Sequence, residues 1–373
     1  MNTTQFRWGI LGTAQIAKKN WQAIRHTGNG IVAAVASRSG ERSRQFIAEC
    51  QAAVPFEVIP RAVGSYEELI ADPTIDGLYI PLPTGIRKEW VIRAAQAGKH
   101  IVCEKPCAID AADLAEMVAV CQEHRVQFLD GVMFMHSARL PLARTLLDDG
   151  RTVGEIRRIQ TAFSFNASPE FFTSNIRAQG ALEPLGCVGD LGWYCVRLAL
   201  WAMQWQTPHA VTGRMLAATV PAAGDSPVPT ELSGELLFAH GVSAGFYCSF
   251  RTELQQNATI NGTRGQLQLD DFVLPFYGNE AALETRNPVF RVTDCDYNME
   301  PHLRRWSVPE YSNSHVTAQE TNLFRAFAEQ VRSGLLNEDW PRWALQTQRV
   351  LEACLESART ESRLVPVAPF APR

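Results

Sequence analysis

Short apolar runs alternate with amphipathic stretches over the first third of the chain. A short run of β-favouring apolar residues predicts a strand, and apolar positions three and four residues apart predict a helix. Strand–helix alternation at this spacing predicts βαβ units around a parallel sheet. On this basis strands are expected at residues 6–11, 30–36, 57–59 (weakly), 77–81, 100–103 and 127–131, and helices at 16–26, 39–50, 66–71, 88–97 and 111–124.

The pattern changes after residue 131, where several strand-like runs follow one another without helices between them. Such a succession predicts a largely antiparallel sheet. We therefore expect an α/β protein with a Rossmann domain at residues 1–131 and an α+β domain with a large open sheet at 132–373, whose last helix could pack back on the first domain. Strands are expected at 156–165, 211–220, 231–238, 242–250, 258–261 and 266–270, and helices at 138–148, 191–203, 318–334 and 343–360.

Composition and charge agree with two soluble domains. The chain has 373 residues, 46% of them hydrophobic and 20% charged, with a formal net charge of −4. A single core rarely grows beyond about 250–300 residues. The small acidic excess and the lack of a basic run argue against a nucleic-acid partner.

Cysteine usage and the absence of targeting signals point to the cytoplasm. The nine cysteines form no CxxC pair and are odd in number, which argues against zinc clusters and disulfide frameworks. The N-terminus lacks the features of a signal peptide, and no segment approaches the roughly 18 apolar residues of a membrane span. We expect a cytoplasmic protein with no metal and no membrane partner.

The first predicted strand runs directly into a glycine-containing turn and a helix. The turn reads Gly12-Thr13-Ala14-Gln15-Ile16-Ala17, a variant of the GxGxxG/A dinucleotide motif. Gly12 would allow the tight turn, Ala14 a close approach of pyrophosphate, and Ala17 close packing of helix on strand. The helix N-terminus would favour the anion. The alternative is a tight βα turn that binds nothing.

The end of the second strand bears on the choice of cofactor. An NAD site usually has an acidic residue here to accept hydrogen bonds from the ribose, whereas this chain has Ser37 and Arg38. A hydroxyl and a guanidinium suit a 2′-phosphate. We therefore expect NADP, with NAD as the alternative. Arg38 could also be an ordinary solvated arginine.

A lysine follows the apolar strand at residues 100–103, in the sequence Glu104-Lys105-Pro106. Ligands of α/β sheets bind at the carboxyl ends of strands, and Pro106 would restrict Lys105 to an extended conformation. Lys105 could orient a substrate hydroxyl beside a nicotinamide. Taken alone, the tripeptide is more often a surface turn.

The order of motifs resembles the Gfo/Idh/MocA oxidoreductase family across nearly the whole chain. The motifs are WGILGTAQIA, ASRS, YIPLPTGIRKEW, AGKHIVCEKP, GDLGWY and INGTRGQLQLDDF. The resemblance implies a sugar, polyol or related diol as substrate and a homodimer or homotetramer assembled through the second-domain sheet. It makes Lys105 catalytic, and Pro81, Pro83, Thr84 and Glu104 would border the cofactor.

The second catalytic motif of that family is DxGxH or DxGxY. Here it reads Asp190-Leu191-Gly192-Trp193-Tyr194, which is nearest to the glucose–fructose oxidoreductase and dihydrodiol dehydrogenase branch. By resemblance Tyr194 is the acid/base and Asp190 contacts or orients the substrate. Without the family, the two residues would be an acidic helix start and a core aromatic.

Some residues depart from the family pattern or leave their role open. Arg87 stands where the family pattern PNxxH places histidine, so it carries no assigned role. His136 could line the pocket or be structural. Trp193 could stack on a sugar ring or pack in the core.

Two rival functions are an NAD-dependent glycosidase and a non-catalytic dinucleotide-sensing regulator of the same fold. Ser37, Arg38 and Tyr194 argue against the glycosidase, and the presence of both Lys105 and Tyr194 argues against the regulator.

Overall fold

A computed structural model describes residues 5–219 and 226–370. Clustering of contacts in space divides the chain into two compact units. The first unit is Met1–His136, Gln179–Pro184 and Asn313–Gln348, and the second is Ser137–Ala178, Leu185–Ser312 and Arg349–Arg373. A boundary between contiguous domains at residues 131 and 132 stays a prediction.

The first unit is built on a six-stranded sheet with the order β3-β2-β1-β4-β5-β6. All neighbouring strands pair in parallel, which confirms the predicted Rossmann sheet. The strands are β1 (Phe6–Leu11), β2 (Gly30–Ala36), β3 (Arg61–Val63), β4 (Gly77–Ile80), β5 (His100–Cys103) and β6 (Phe128–Asp130).

The weak third strand is the one prediction in this sheet that is wrong. It was expected at residues 57–59, but Val58 and Ile59 are 78% and 66% exposed. The strand that pairs with β2 begins instead at Arg61, directly after Pro60. Proline has no amide hydrogen to donate to a ladder, so pairing starts beyond it.

Helices cover the parallel sheet, and one of them comes from the C-terminal part of the chain. Phe324 of the later helix lies edge-on to Trp8 of β1 and Tyr79 of β4, with ring centroids 5.1 and 5.5 Å apart. All three rings are fully buried, so this helix completes the Rossmann core. The helices of the first unit are α1 (Gln15–His26), α2 (Gly40–Ala53), α3 (Tyr66–Ala71), α4 (Thr84–Gln96), α5 (Ala111–Glu123) and the later helix, α9 (Gln319–Arg332).

The second unit contains a nine-stranded sheet with the order β16-β13-β12-β11-β7-β10-β9-β8-β17. Among the described strands of this sheet, β7 and β10 alone pair in parallel, which confirms a large, mostly antiparallel sheet. The strands are β7 (Ile156–Asn166), β8 (Ala210–Ala218), β9 (Pro229–Leu237), β10 (Ser243–Ser249), β11 (Arg251–Gly262), β12 (Gln266–Leu269), β13 (Glu280–Arg286), β16 (Leu303–Pro309) and β17 (Val365–Pro366). The predicted strand at 211–220 ends at Ala218, and residue 220 lies outside the described residues.

Helices contact this sheet at its centre and near the β16 edge. The helices are α6 (Arg139–Asp148), α7 (Pro169–Ser174) and α8 (Trp193–Ala202), and α10 (Asp339–Arg359) runs from the first unit into the second. Helix α8 lies against β7 and β10, and helix α6 lies against β13 and β16. One face of the sheet presents polar side chains that are partly or fully exposed. Examples are Gln160, Ser233, Thr259, Asn261, Gln266 and Gln268.

A two-stranded hairpin continues the β13–β16 pair beyond Arg286 and Leu303, where the Asn287 amide donates to the His302 carbonyl at 3.2 Å. Its strands, β14 (Val289–Thr293) and β15 (Asp296–Glu300), pair Phe290 with Met299 and Val292 with Tyr297. These four side chains are 52% to 72% exposed. Together they form an exposed apolar patch at the end of this long hairpin.

Within residues 5–219 and 226–370, none of the helices combines the length and apolar character needed to cross a bilayer.

Candidate active site

The carboxyl ends of four neighbouring strands carry the predicted cofactor segments. The turns after β2, β1, β4 and β5 contain Arg38, Gly12, Pro81 and Glu104, and these strands are adjacent in that order. The direction of winding reverses between β1 and β4, and open α/β sheets bind ligands at such a reversal. The structure therefore gathers these segments at one edge of the first unit.

The turn after β1 fits a pyrophosphate. Gly12 has φ +119°, a conformation that favours glycine, and its amide donates to the Ala36 carbonyl at 2.8 Å. Helix α1 begins at Gln15, and Ala14 at its N-cap makes no side-chain cap. The Ala17 amide donates to the Ala14 carbonyl at 2.9 Å, and the amides before it, with the helix dipole, would favour an anion at this end. Thr13 and Ala14 are half-buried, and Gln15 and Ile16 are exposed.

Ser37 and Arg38, both predicted to contact the cofactor, lie in different environments at the end of β2. The Ser37 side chain is buried, and its hydroxyl donates to the Ser39 carbonyl at 2.6 Å and lies 3.1 Å from the Ser43 hydroxyl. Arg38 is exposed. Ser37 therefore shapes the turn, and Arg38 is the better placed of the two for a phosphate.

A second arginine was missed by the sequence reasoning. Burial raises the pKa of Tyr66, and the positive charges of Arg38 and Arg42 both oppose that rise. Both guanidinium groups therefore lie close enough to the Tyr66 hydroxyl to influence its pKa. Arg42 lies in the first turn of α2, where the SRSGER sequence could have indicated it, because a 2′-phosphate suits more than one cation.

Glu104 is held by a buried hydrogen-bond chain. The Tyr79 hydroxyl donates to Glu104 Oε1 at 2.7 Å and accepts from Asn20 Nδ2 at 2.6 Å. Burial and the neighbouring Glu104 raise the pKa of Tyr79 well above its usual range, so its hydroxyl stays a donor. The Lys105 amide donates to Glu104 Oε2 at 3.2 Å. The carboxylate thus orients the turn that carries Lys105, whose bond to Pro106 is cis.

Arg87 also holds the turn that carries Lys105. Its side chain is 3% exposed. The guanidinium donates to the Leu82 carbonyl at 2.9 Å, to the Glu104 carbonyl at 2.6 Å and to the Pro106 carbonyl. The position could have been recognised from helical spacing, because Arg87 shares a buried face of α4 with Val91.

The amide and the hydroxyl of Thr84 both form hydrogen bonds within the protein. The side chain is 2% exposed. Its amide donates to Glu183 Oε1 at 3.0 Å, and its hydroxyl to Glu183 Oε2 at 2.6 Å. The hydroxyl also lies 3.3 Å from the Pro106 carbonyl. Pro81 is buried and Pro83 half-buried just before α4. Glu183 was not recognised from the sequence.

The second motif forms a π-helical turn, Val188–Gly192, that leads into α8. Asp190 Oδ2 lies 2.9 Å from Arg177 Nε. The Tyr194 side chain is 5% exposed, and its ring lies edge-on to Phe163 at 5.5 Å. These residues belong to the second unit, whereas Lys105 belongs to the first.

Two further residues are now placed. Trp193 is fully buried, so its side chain offers no face for stacking on a sugar and packs in the core. His136 is half-buried in the turn Met133–His136, with its ring 6.1 Å from that of Trp340.

No group of three histidine, cysteine or acidic side chains in the described part of the chain is arranged to hold a metal ion.

Two domain-family models match the chain. The NAD-binding Rossmann fold of an oxidoreductase family matches residues 6–131, and the GFO/IDH/MocA C-terminal domain matches residues 142–268. The chain belongs to the Gfo/Idh/MocA family. It is accordingly an NAD(P)-dependent oxidoreductase.

Curated relatives and a solved structure extend this result. A D-xylose 1-dehydrogenase (NADP⁺) of Haloferax volcanii is 32% identical over 70% of this chain and 74% of its own. The bovine trans-1,2-dihydrobenzene-1,2-diol dehydrogenase is 28% identical over 71% and 74%. A 3-ketoreductase of Actinomadura kijaniata, solved with NADP and TDP-benzene, has a TM-score of 0.78 at 23% identity and covers 96% of this chain and 98% of its own. At 23% identity, the similarity to this ketoreductase supports the fold of the chain and nothing further.

Proposed function

We propose that this oxidoreductase interconverts a carbinol and a carbonyl group on a sugar, polyol or related diol, with NADP(H) as the preferred cofactor. The nicotinamide, when bound, exchanges the hydride with the substrate carbon. The observation that carries the proposal is the Lys105 turn, held by Arg87 and Glu104 at the edge where the dinucleotide segments meet. The names of the relatives support the substrate class.

The proposed mechanism assigns one role to each catalytic side chain. In oxidation the Tyr194 phenolate accepts the proton of the substrate hydroxyl, and in reduction the Tyr194 hydroxyl donates its proton to the new alkoxide. The Lys105 ammonium stabilises the negative charge on that oxygen. Asp190 orients a substrate hydroxyl.

The proposed cofactor contacts lie in the four turns that come after β1, β2, β4 and β5. Gly12 allows the tight turn, the amides from Thr13 to Ile16 hold the pyrophosphate, and Arg38, with Arg42, holds the 2′-phosphate. Thr84 and Glu104 border the nicotinamide end mainly by shaping their turns, since their polar groups bind within the protein. Ser37, Pro81 and Pro83 have the same shaping role.

A substrate panel tests the function. The purified protein is mixed with NADP⁺ and, in turn, D-xylose, trans-1,2-dihydrobenzene-1,2-diol and a set of polyols, and in reverse with NADPH and keto sugars. We expect net change in nicotinamide absorbance with at least one substrate. Glycoside cleavage without net cofactor change would instead identify a glycosidase, and cofactor binding without turnover on any substrate a regulator.

Replacing Arg38 by alanine is expected to weaken NADPH binding more than NADH binding, because only NADPH carries the 2′-phosphate. A hydrogen bond to a charged group contributes about 1.5–3 kcal/mol, so the Kd of NADPH should rise about tenfold or more. Nicotinamide fluorescence titration measures both affinities. Arg151→Ala, at an exposed arginine of the second unit, is the control. Equal losses for the two cofactors would remove Arg38 from the phosphate site.

We also propose a cytoplasmic homo-oligomer. The odd number of cysteines, nine, and the lack of a CxxC pair fit a reducing compartment. The polar sheet face and the apolar hairpin of β14 and β15 are surfaces for a second copy, and interfaces are commonly as polar as the rest of a protein surface.

The oligomer is tested by light scattering across micromolar dilution. We expect a mass of at least twice the 41.4 kDa of the chain. Tyr297→Asp, which places a charge on the apolar hairpin face, is expected to lower the mass if the hairpin contributes. A wild-type mass near 41.4 kDa throughout would contradict the proposal.

A further inference from the structure

Segment 179–184 belongs to the first unit, although the chain on both sides of it belongs to the second. It is a compact turn in which the Gln179 carbonyl accepts from the amides of Leu182 and Glu183 at 3.1 and 2.8 Å. This turn presents the carboxylate of Glu183 and the carbonyl of Leu182 to the start of α4.

The two groups complete the N-terminus of α4. The Pro83 N-cap makes no side-chain cap of its own. Glu183 accepts from both the amide and the hydroxyl of Thr84, and the Leu182 carbonyl accepts from the Gly85 amide at 2.8 Å. A carboxylate at a helix N-terminus is also favoured by the helix dipole. The first amides of α4 are thus satisfied by a segment about 100 residues later in the chain.

The side of α4 that faces this turn is shaped for it. A Cβ atom on Gly85 would lie 2.1 Å from the carbonyl oxygen of Ala181. No side chain fits there, so glycine is required for this close approach. The glycine and the glutamate are two independent features of one docking contact.

The contact adjoins the Lys105 turn and precedes the second catalytic motif. Thr84, which Glu183 holds, has its hydroxyl 3.3 Å from the carbonyl of Pro106. From Pro184 the chain re-enters the second unit and runs into the π-helical turn that bears Asp190.

We propose that Glu183 is a positioning residue. By holding segment 179–184 on α4 and Thr84 beside the Pro106 carbonyl, it fixes the Lys105 turn and the point from which the chain leaves the first unit for the Asp190 turn. The inference rests on the proposed roles of Lys105 and Tyr194. Small displacements of reacting groups, of about 1 Å, can cost about 10²-fold in rate.

Two substitutions break the contact from opposite sides. Glu183→Ala removes the carboxylate, and Gly85→Ala adds the Cβ that collides with Ala181. On the best substrate of the panel, each is expected to lower kcat/KM about 10- to 100-fold, while the Kd of NADPH changes less than about twofold. Glu183→Gln retains one acceptor oxygen and should recover part of the loss. Glu170→Ala, on exposed helix α7, is the control.

Hydrogen exchange reports the contact independently of activity. The Thr84 and Gly85 amides should exchange slowly in the wild type and faster in Glu183→Ala. If these amides exchange faster in Glu183→Ala but kcat/KM stays within about twofold of the wild type, Glu183 only caps helix α4. That result would overturn the proposal. Loss of NADPH affinity with unchanged kcat would overturn it too, by making the contact a cofactor element.

Measurement of Tyr194→Phe beside these variants separates the two proposals. If Tyr194→Phe loses turnover and the Glu183 variants do not, only the positioning role is wrong. If Tyr194→Phe keeps full turnover, the proposed function fails at the acid/base, and the role of Glu183 falls with it. Should Glu183→Ala not fold, Glu183→Gln and Gly85→Ala carry the same test.

Discussion

Replacing Tyr194 by phenylalanine is expected to lower kcat by about 10²–10⁴-fold, the usual contribution of general acid–base catalysis. The substitution removes only the hydroxyl. The ring, 5% exposed and packed edge-on to Phe163, keeps its neighbours, so folding and cofactor binding should survive. Steady-state kinetics, the Kd of NADPH and the melting temperature are measured together.

A matched control is Tyr277→Phe, which removes a hydroxyl from a side chain that is 92% exposed. This variant should leave kcat unchanged. If Tyr194→Phe also turns over at near the wild-type rate on the best substrate, Tyr194 is a packing residue. The proton would then come from another group, and His136 would be the next one to replace.

The strands of the first unit were predictable because most are buried on both faces. Continuous apolar runs such as GIVAAVA identify strands of this kind, and β1 and β2 match the predicted bounds. The prediction at residues 57–59 was wrong because two β-branched residues imitate such a run. Only the pairing of Arg61 with Ala34 shows where the strand lies.

The outer strands of the second sheet were much harder to predict. Strand β16 reads LRRWSVP and is largely exposed, so it lacks the apolar signal on which strand prediction depends. Strand β13 has a regular alternation of buried and more exposed residues. Its buried positions are alanine, leucine and threonine, so the apolar signal of this alternation is weak. The existence of these strands follows from pairing across the sheet, which no local pattern contains.

At the candidate site, motifs indicated which turns matter but not how they are built. Arg87 was set aside because it departs from the family pattern, yet its buried guanidinium binds three carbonyls around the Lys105 turn. Ser37 was expected to face a phosphate, but its hydroxyl is used inside its own turn. Such contacts depend on side-chain direction and on segments distant in sequence. The Glu183–Thr84 contact, between residues 99 positions apart, is the extreme case.

Replacing Lys105 by alanine is expected to lower kcat by about as much as Tyr194→Phe, about 10²–10⁴-fold, because the ammonium would no longer stabilise charge on the substrate oxygen. The turn itself should persist. Glu104 and Arg87 hold it through the Lys105 amide and the Glu104 and Pro106 carbonyls, and the substitution alters none of these groups. Lys105→Arg keeps the charge but changes its geometry and should retain more activity than alanine.

The double variant Lys105→Ala/Tyr194→Phe tests whether the two side chains act on one oxygen. Groups that work as a unit are strongly non-additive, so the double variant should lose far less than the product of the two single losses. Lys105 and Tyr194 belong to different compact units, so such coupling would not arise from a shared local structure. Kinetics of all four proteins, with NADPH affinity measured in each, complete the cycle. Losses that multiply would mean that the two residues act independently, and the shared-oxygen mechanism would have to be abandoned.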